Sequence, residues 1–147
     1  MDTKYKLLIF IFVLICYNLF LESHVSPQNH QNSLPHRDLK MPVLALAVMC
    51  EVIEDLTPKN RAVVFSIKIG EVSCFTSFDP VPNKTFIYHK WFHKDELSTQ
   101  KKLTLQPPRW ATYSKIQLRE TDKGPWRVEI TDHTERILRT LRFTITD

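Results

Sequence analysis

Arg109-Trp110-Ala111-Thr112-Tyr113-Ser114-Lys115-Ile116-Gln117-Leu118 alternates two kinds of side chain. Trp110, Thr112, Ser114, Ile116 and Leu118 share one side; Arg109, Ala111, Tyr113, Lys115 and Gln117 share the other. In an extended strand successive side chains point to opposite faces, so the apolar members assign the first set, Trp110 included, to a core. Pro107-Pro108 closes the strand at its start, and the turn cluster Thr121-Asp122-Lys123-Gly124-Pro125 follows its end.

The same period extends in both directions. Downstream, Trp126, Val128 and Ile130 alternate with Arg127, Glu129 and Thr131, which makes Trp126 a core residue. Asp132-His133-Thr134-Glu135 then turns the chain into a last strand with Leu141, Phe143 and Ile145 on one face. Upstream, Leu44 to Ile53 reads as a first strand, ended by the turn Thr57-Pro58-Lys59-Asn60. Val63, Phe65, Ile67 and Ile69 form the expected inner face of a second strand, which Gly70-Glu71 breaks. Val72 to Phe78 is the third, stopped by Asp79-Pro80-Val81-Pro82-Asn83.

Thr85 to Lys94 is harder to orient. Phe86, Tyr88, Lys90 and Phe92 lie on one side and Ile87, His89, Trp91 and His93 on the other, so one half-exposed face must be aromatic. Asp95-Glu96 is its hairpin tip, and a strand ending at Leu103 and Leu105 follows. Short period-two segments separated by turn residues are the pattern of a sandwich or barrel. The expected fold is all-β: an antiparallel immunoglobulin-like β-sandwich of about seven or eight strands over residues 42–147, preceded by an N-terminal hydrophobic helix.

Three clusters carry all the tryptophans: His89-Lys90-Trp91, Pro108-Arg109-Trp110-Ala111-Thr112-Tyr113-Ser114 and Gly124-Pro125-Trp126-Arg127-Val128. With Phe143 beyond them, they resemble the signature of an uncharacterised bacterial family, domain of unknown function 2914: His-x-Trp-Tyr, Pro-Arg-Trp-x-Thr-x-Ser, Gly-x-Trp-x-Val and a final strand ending near a Phe. Phe92, Ala111 and Tyr113 depart from that pattern, where Tyr, Arg and Trp are usual. The resemblance covers roughly the last two-thirds of the chain. It implies a domain class and a cell-envelope location, and no chemistry.

Residues 1–21 carry Lys4 and Lys6 ahead of Leu7 to Leu21, about fifteen residues without a charge. That length suits a signal-peptide core and is short for a span of about 20 residues, but no Ala-x-Ala cleavage site follows. The favoured reading is an uncleaved anchor that crosses the inner membrane once and holds the domain in the periplasm; the alternative is a cleaved signal and release into the periplasm. Residues 22–41 shift to Ser, Gln, Asn, His and Pro and read as a flexible polar linker. Its three histidines, His24, His30 and His36, have nothing to fix them as metal ligands.

The chain has 147 residues, a formal charge of +4 and two glycines. Its basic residues are scattered among acidic ones with no clustered stripe, which argues against nucleic acid as a partner. Two glycines exclude a P-loop or a dinucleotide fingerprint, and no cofactor is expected. Cys50 and Cys74 form a disulfide if their strands are neighbours with suitable geometry, and otherwise act as small buried hydrophobes. His89 and His93 share a face, but four residues of strand separate them by about 13 Å, too far for one metal.

His89, Trp91 and Arg109 form the candidate ligand-binding site. A tryptophan face beside an imidazole and a guanidinium suits a protein or a sugar, whereas a tryptophan in the inter-sheet layer and a hydrogen-bonded structural histidine explain the same residues by packing. The expected role is a non-catalytic, membrane-tethered module that binds another macromolecule, with an envelope protein or a glycan as partner. A glycan-binding module of the envelope is the alternative. A hydrolase built on His89, Ser114 and Asp132 is a third reading, which needs His89 and Ser114 within about 3 Å and lacks any supporting motif.

Overall fold

The computed structural model describes residues 41–147, so the expected anchor at 1–21 and the linker up to residue 40 lie outside the described residues. Nine strands follow in chain order: β1 (Leu44–Glu54), β2 (Thr57–Arg61), β3 (Val64–Ser66), β4 (Glu71–Phe78), β5 (Thr85–His93), β6 (Glu96–Leu105), β7 (Trp110–Gln117), β8 (Gly124–Asp132) and β9 (Ile137–Thr146). They form two sheets, one in the order β2-β1-β4-β7 and the other β3-β9-β8-β5-β6. The described fold is all-β, as the period-two pattern required. Every pair is antiparallel except β3 with β9, which run parallel.

Two local features raise the strand count above the expected seven or eight. Thr57-Pro58-Lys59-Asn60, expected to be a turn, belongs to β2, which pairs with the end of β1. The turn is Asp55-Leu56, both at positive φ. Proline is tolerated in β2 because that strand is a sheet edge. The segment Val63 to Ile69 also departs from expectation. Strand β3 stops at Ser66, whose hydroxyl accepts from the Lys68 N–H at 3.2 Å, and Ile67–Ile69 form a 3-10 turn capped by left-handed Gly70. Alternation is lost there, so only Phe65 is fully buried and Val63 faces solvent.

The core lies between the sheets. Val72, Cys74 and Phe78 from β4 meet Ile87 and Trp91 from β5, Trp126, Val128 and Ile130 from β8, and Phe143 and Ile145 from β9. Phe143 is its aromatic hub. Its ring stacks on Trp126 at 6.1 Å and stands edge-on to Trp91 and Phe65, each at 6.0 Å. Each such ring buries on the order of 150–250 Å², and pair geometry adds about 0.5–1.5 kcal/mol beyond the area.

A smaller buried cluster lies on the opposite side of the first sheet. Phe75 and Cys50 are buried but point away from the inter-sheet core, as their registers opposite Val48, Tyr113 and Ser73 require. Ala45 and Leu56 line one cleft although eleven residues of straight strand would separate them by about 36 Å. The β1–β2 hairpin therefore bends back over the outer face, and buried Pro58 travels with it. Cys50 and Cys74 consequently occupy opposite faces of the sheet and are free thiols. Burial raises both, Cys50 to about 11 against a smaller opposing pull from Arg61.

Replacing Phe143 should collapse several ring contacts together. Phe143→Ala is expected to cost about 3–5 kcal/mol in urea unfolding, and Phe143→Leu less than half of that. Equal losses for the two variants contradict a role that rests on volume and aromatic contact.

Candidate functional site

The sequence placed His89, Trp91 and Arg109 on one surface, and the structure separates them. His89 and Trp91 are both 0% exposed, whereas Arg109 is exposed at the start of β7. The physical reason is the handedness of β5: its Ile87, His89 and Trp91 side faces the core, and its Phe86, Tyr88 and Phe92 side is the half-exposed one. A surface site containing His89 and Trp91 is therefore corrected.

What His89 and Trp91 build instead is a hydrogen-bond chain between the sheets. Trp91 Nε1–H donates to Ser114 Oγ at 3.0 Å, and Ser114 Oγ lies 2.8 Å from His89 Nδ1. On the far side of the ring, His89 Nε2 lies 3.2 Å from Thr76 Oγ1, and the Thr76 hydroxyl donates to the Thr112 carbonyl at 3.4 Å. An indole N–H only donates and a carbonyl only accepts, and one assignment of the intermediate bonds leaves no hydroxyl proton and no ring nitrogen unpaired. Ser114 donates to Nδ1, and Nε2–H donates to Thr76. The imidazole is then neutral and carries its proton on Nε2.

Register brings these groups together. Cys74 pairs with Ser114 and Thr76 with Thr112 across β4 and β7, which puts both hydroxyls on the inner face of the first sheet. His89 and Trp91 are two residues apart on the inner face of the second. Desolvation holds the His89 pKa far down, to about 3, because charging it in a dry core is costly.

The same geometry bears on the hydrolase reading. His89 and Ser114 do lie within 3 Å, but both are buried on facing sheets and their hydrogen-bonding capacity is used inside the chain described above. Ser114 Oγ has no approach for a substrate. The third residue, Asp132, caps the β8–β9 turn instead. Its Oδ1 accepts from the Thr134 N–H (2.9 Å) and hydroxyl (2.6 Å) and from the Arg136 N–H (3.1 Å), and its Oδ2 from Arg136 Nε (3.0 Å). Burial pushes the Asp132 carboxyl up, and these bonds outweigh it to leave the pKa lowered.

Trp110 lies on the face the sequence assigned to it, opposite buried Phe78, but it is the first residue of an edge strand and is 38% exposed. Around it opens a cleft of about 370 Å³ lined by Ala45, Leu56, Phe78, Asp79, Arg109 and Trp110, among others. Leu56 at 54% and Val43 at 52% are exposed beside it. Val43 is tied there by its N–H to the Pro80 carbonyl (3.0 Å) and by the Asp79 N–H to its own carbonyl (2.9 Å). Among the described residues neither Arg109 nor Asp79 makes an ion pair. The candidate site is this cleft. Arg109 is its one residue in the sequence-derived set, and Trp110 and Leu56 were missed.

Residues 84–145 match the family model described as Protein of unknown function (DUF2914). The match supports the resemblance to that family drawn from the tryptophan clusters. It spans β5 to β9 and so includes His89, Trp91, Ser114, Arg109 and Trp110, while Thr76 and the Ala45, Leu56 and Asp79 walls of the cleft come from outside it. No curated protein matches the chain. Among the described residues no His, Cys, Asp and Glu cluster is arranged to hold a metal, and no helix is long and apolar enough to cross a membrane.

Two predictions test the buried chain. Ser114→Ala leaves Trp91 Nε1–H and His89 Nδ1 without partners and should cost about 2–6 kcal/mol in chemical unfolding, at about 1–3 kcal/mol per stranded group. A loss under about 1 kcal/mol contradicts the network. The second concerns acid. An unfolded histidine binds its proton near pH 6.5 and the folded one only near 3, so stability is fully present above 6.5 and falls as pH drops toward 3. The expected slope is about 1.4 kcal/mol per pH unit, read between pH 6 and 4.5 before most carboxylates titrate. His89→Gln should flatten it, and an equal slope in that variant contradicts the assignment.

Proposed function

We propose that the protein is a non-catalytic envelope domain, tethered to the inner membrane by its N-terminal segment, that binds another macromolecule in the periplasm through the cleft at Arg109 and Trp110. The observation that carries this is the grouping of exposed Trp110 and Leu56 around a concave site with an unpaired guanidinium at its edge. Contiguous exposed apolar surface rimmed by polar groups marks interaction sites, and tryptophan and arginine are the side chains over-represented among binding hot spots. The tether rests on the uncharged run Leu7 to Leu21 behind Lys4 and Lys6.

The finer architecture fits such a module. One sheet carries β1, β4 and β7, the other β9, β8, β5 and β6, and β3 crosses over to lie parallel to β9. This arrangement supports an immunoglobulin-like sandwich, a scaffold whose loops and edges commonly serve recognition. An envelope protein is the favoured partner, because the walls of the cleft are mostly apolar. A glycan-binding module is the second reading, favoured by the flat face of Trp110 beside Arg109 and Asp79.

Crosslinking in intact cells followed by capture of the full chain tests the proposal. Arg109→Ala combined with Trp110→Ala should lose at least about 90% of a crosslinked partner, equivalent to about 1.4 kcal/mol of binding, while unfolding shifts by only about 1 kcal/mol. Retention of the same crosslinked species by the double variant contradicts the cleft as the binding face. Loss of the captured material on glycosidase treatment, with protease without effect, favours the glycan reading.

A further inference from the structure

A sheet edge presents unpaired N–H and C=O groups, and proteins guard such edges with prolines, short strands, bulges or charges that point inward. Four edge strands are present among the described residues: β2, β7, β3 and β6. Strand β2 has five residues and contains Pro58, and β3 has three. Strand β6 is long, but its ladder with β5 shifts register at Trp91/Phe92. It also carries Lys101 opposite buried His89, hence on the core-facing side, where the lysine is exposed at the rim. Strand β7 has only an exposed lysine, Lys115, which Glu71 of β4 already holds at 3.1 Å. Its eight residues pair with β4 without a register shift, contain no Pro or Gly, and place only Trp110, Thr112, Ser114 and Ile116 on the inner face.

The outer face of β7 shows what fits it. Tyr113 stands at mid-strand, 40% exposed, flanked by Ala111 and Lys115, with Arg109 and Gln117 beyond. A second β7 laid antiparallel must keep inner residues opposite inner ones, since a one-residue slip reverses the faces. Only registers centred on a residue satisfy this. Centring on Thr112 places Arg109 opposite Lys115, and centring on Ser114 places Arg109 opposite Arg119; like charges directly opposed are unfavourable. Centring on Tyr113 opposes Tyr113 to Tyr113, Ala111 to Lys115 and Arg109 to Gln117, with no like-charge pair. On the inner face it opposes Trp110 to Ile116 and Thr112 to Ser114.

We propose that β7 is a self-association edge: two copies of this chain join antiparallel through β7 about Tyr113, extending the β2-β1-β4-β7 sheet into one continuous eight-stranded sheet. Arg109, Trp110 and Ala111 also line the cleft, and the pairing places the two clefts at opposite ends of the shared β7 pair.

The test uses the full chain in its membrane with Cys16→Ser, since Cys50 and Cys74 are buried. Directly opposed residues of antiparallel strands have Cα atoms about 4.5–5.5 Å apart, within disulfide reach. Tyr113→Cys should therefore oxidise to a covalent dimer, and Gln100→Cys, at mid-β6, should not. Ala111→Glu faces Lys115 of the second copy and should raise the dimer yield, whereas Ala111→Lys should lower it, each by about fivefold in the dissociation constant over two pairs. A merely structural disturbance moves both the same way. A Tyr113→Cys chain that stays monomeric overturns the proposal, whether its thiol alkylates freely or is shielded by another segment. Equal crosslinking at Tyr113→Cys and Gln100→Cys also overturns it.

Discussion

The structure depends on one constraint: an imidazole with no access to water must have both of its nitrogens satisfied. His89 meets it by bridging the two sheets, accepting from Ser114 of β7 and donating to Thr76 of β4 while Trp91 feeds the same Ser114. A stranded buried polar group costs about 1–3 kcal/mol, so a sheet that slipped by one residue would lose several such bonds together. The apolar layer around it supplies most of the stabilisation but little directional information. The polar chain specifies which residue of one sheet stands over which residue of the other.

That specification reaches the surface. Because Ser114 is held against His89, β7 has a defined rotation about its own axis, with Tyr113 and Lys115 turned outward and Trp110 carried along the inner face to the open end. The exposed tryptophan of the cleft is thus a continuation of the inner face on to the sheet's edge strand, beside buried Phe78. The bent β1–β2 hairpin supplies the opposite wall through Leu56. Buried chain and surface cleft share β7, one at its centre and the other at its start.

Much of this was legible in the sequence. Alternation located β7, β8 and β9 and assigned Trp126, Val128, Phe143 and Ile145 inward, because each of those strands carries polar or charged residues on its other face. It failed where burial was two-sided or the chain left the sheet. Strand β5 has aromatic residues on both faces, and a histidine among them resembles a ligand-reading group until its partners on β4 and β7 are known. The edge of the sheet was equally invisible: Trp110 has the right parity for burial, and only the place of β7 at the end of the strand order exposes it while paired Phe78 is buried. Pro58 suggested a turn because its tolerance at an edge depends on which strands lie beside it, and the cleft depends on the β1–β2 hairpin bending back, a long-range event with no short sequence signal.

The tautomer of His89 tests the central claim most directly. Nitrogen-15 NMR of the imidazole at neutral pH should show a neutral ring protonated on Nε2, with that proton and the Trp91 indole proton both exchanging with solvent far more slowly than those of exposed His133. A ring protonated on Nδ1, an imidazolium, or exchange as fast as that of His133 contradicts the directional chain that joins the sheets.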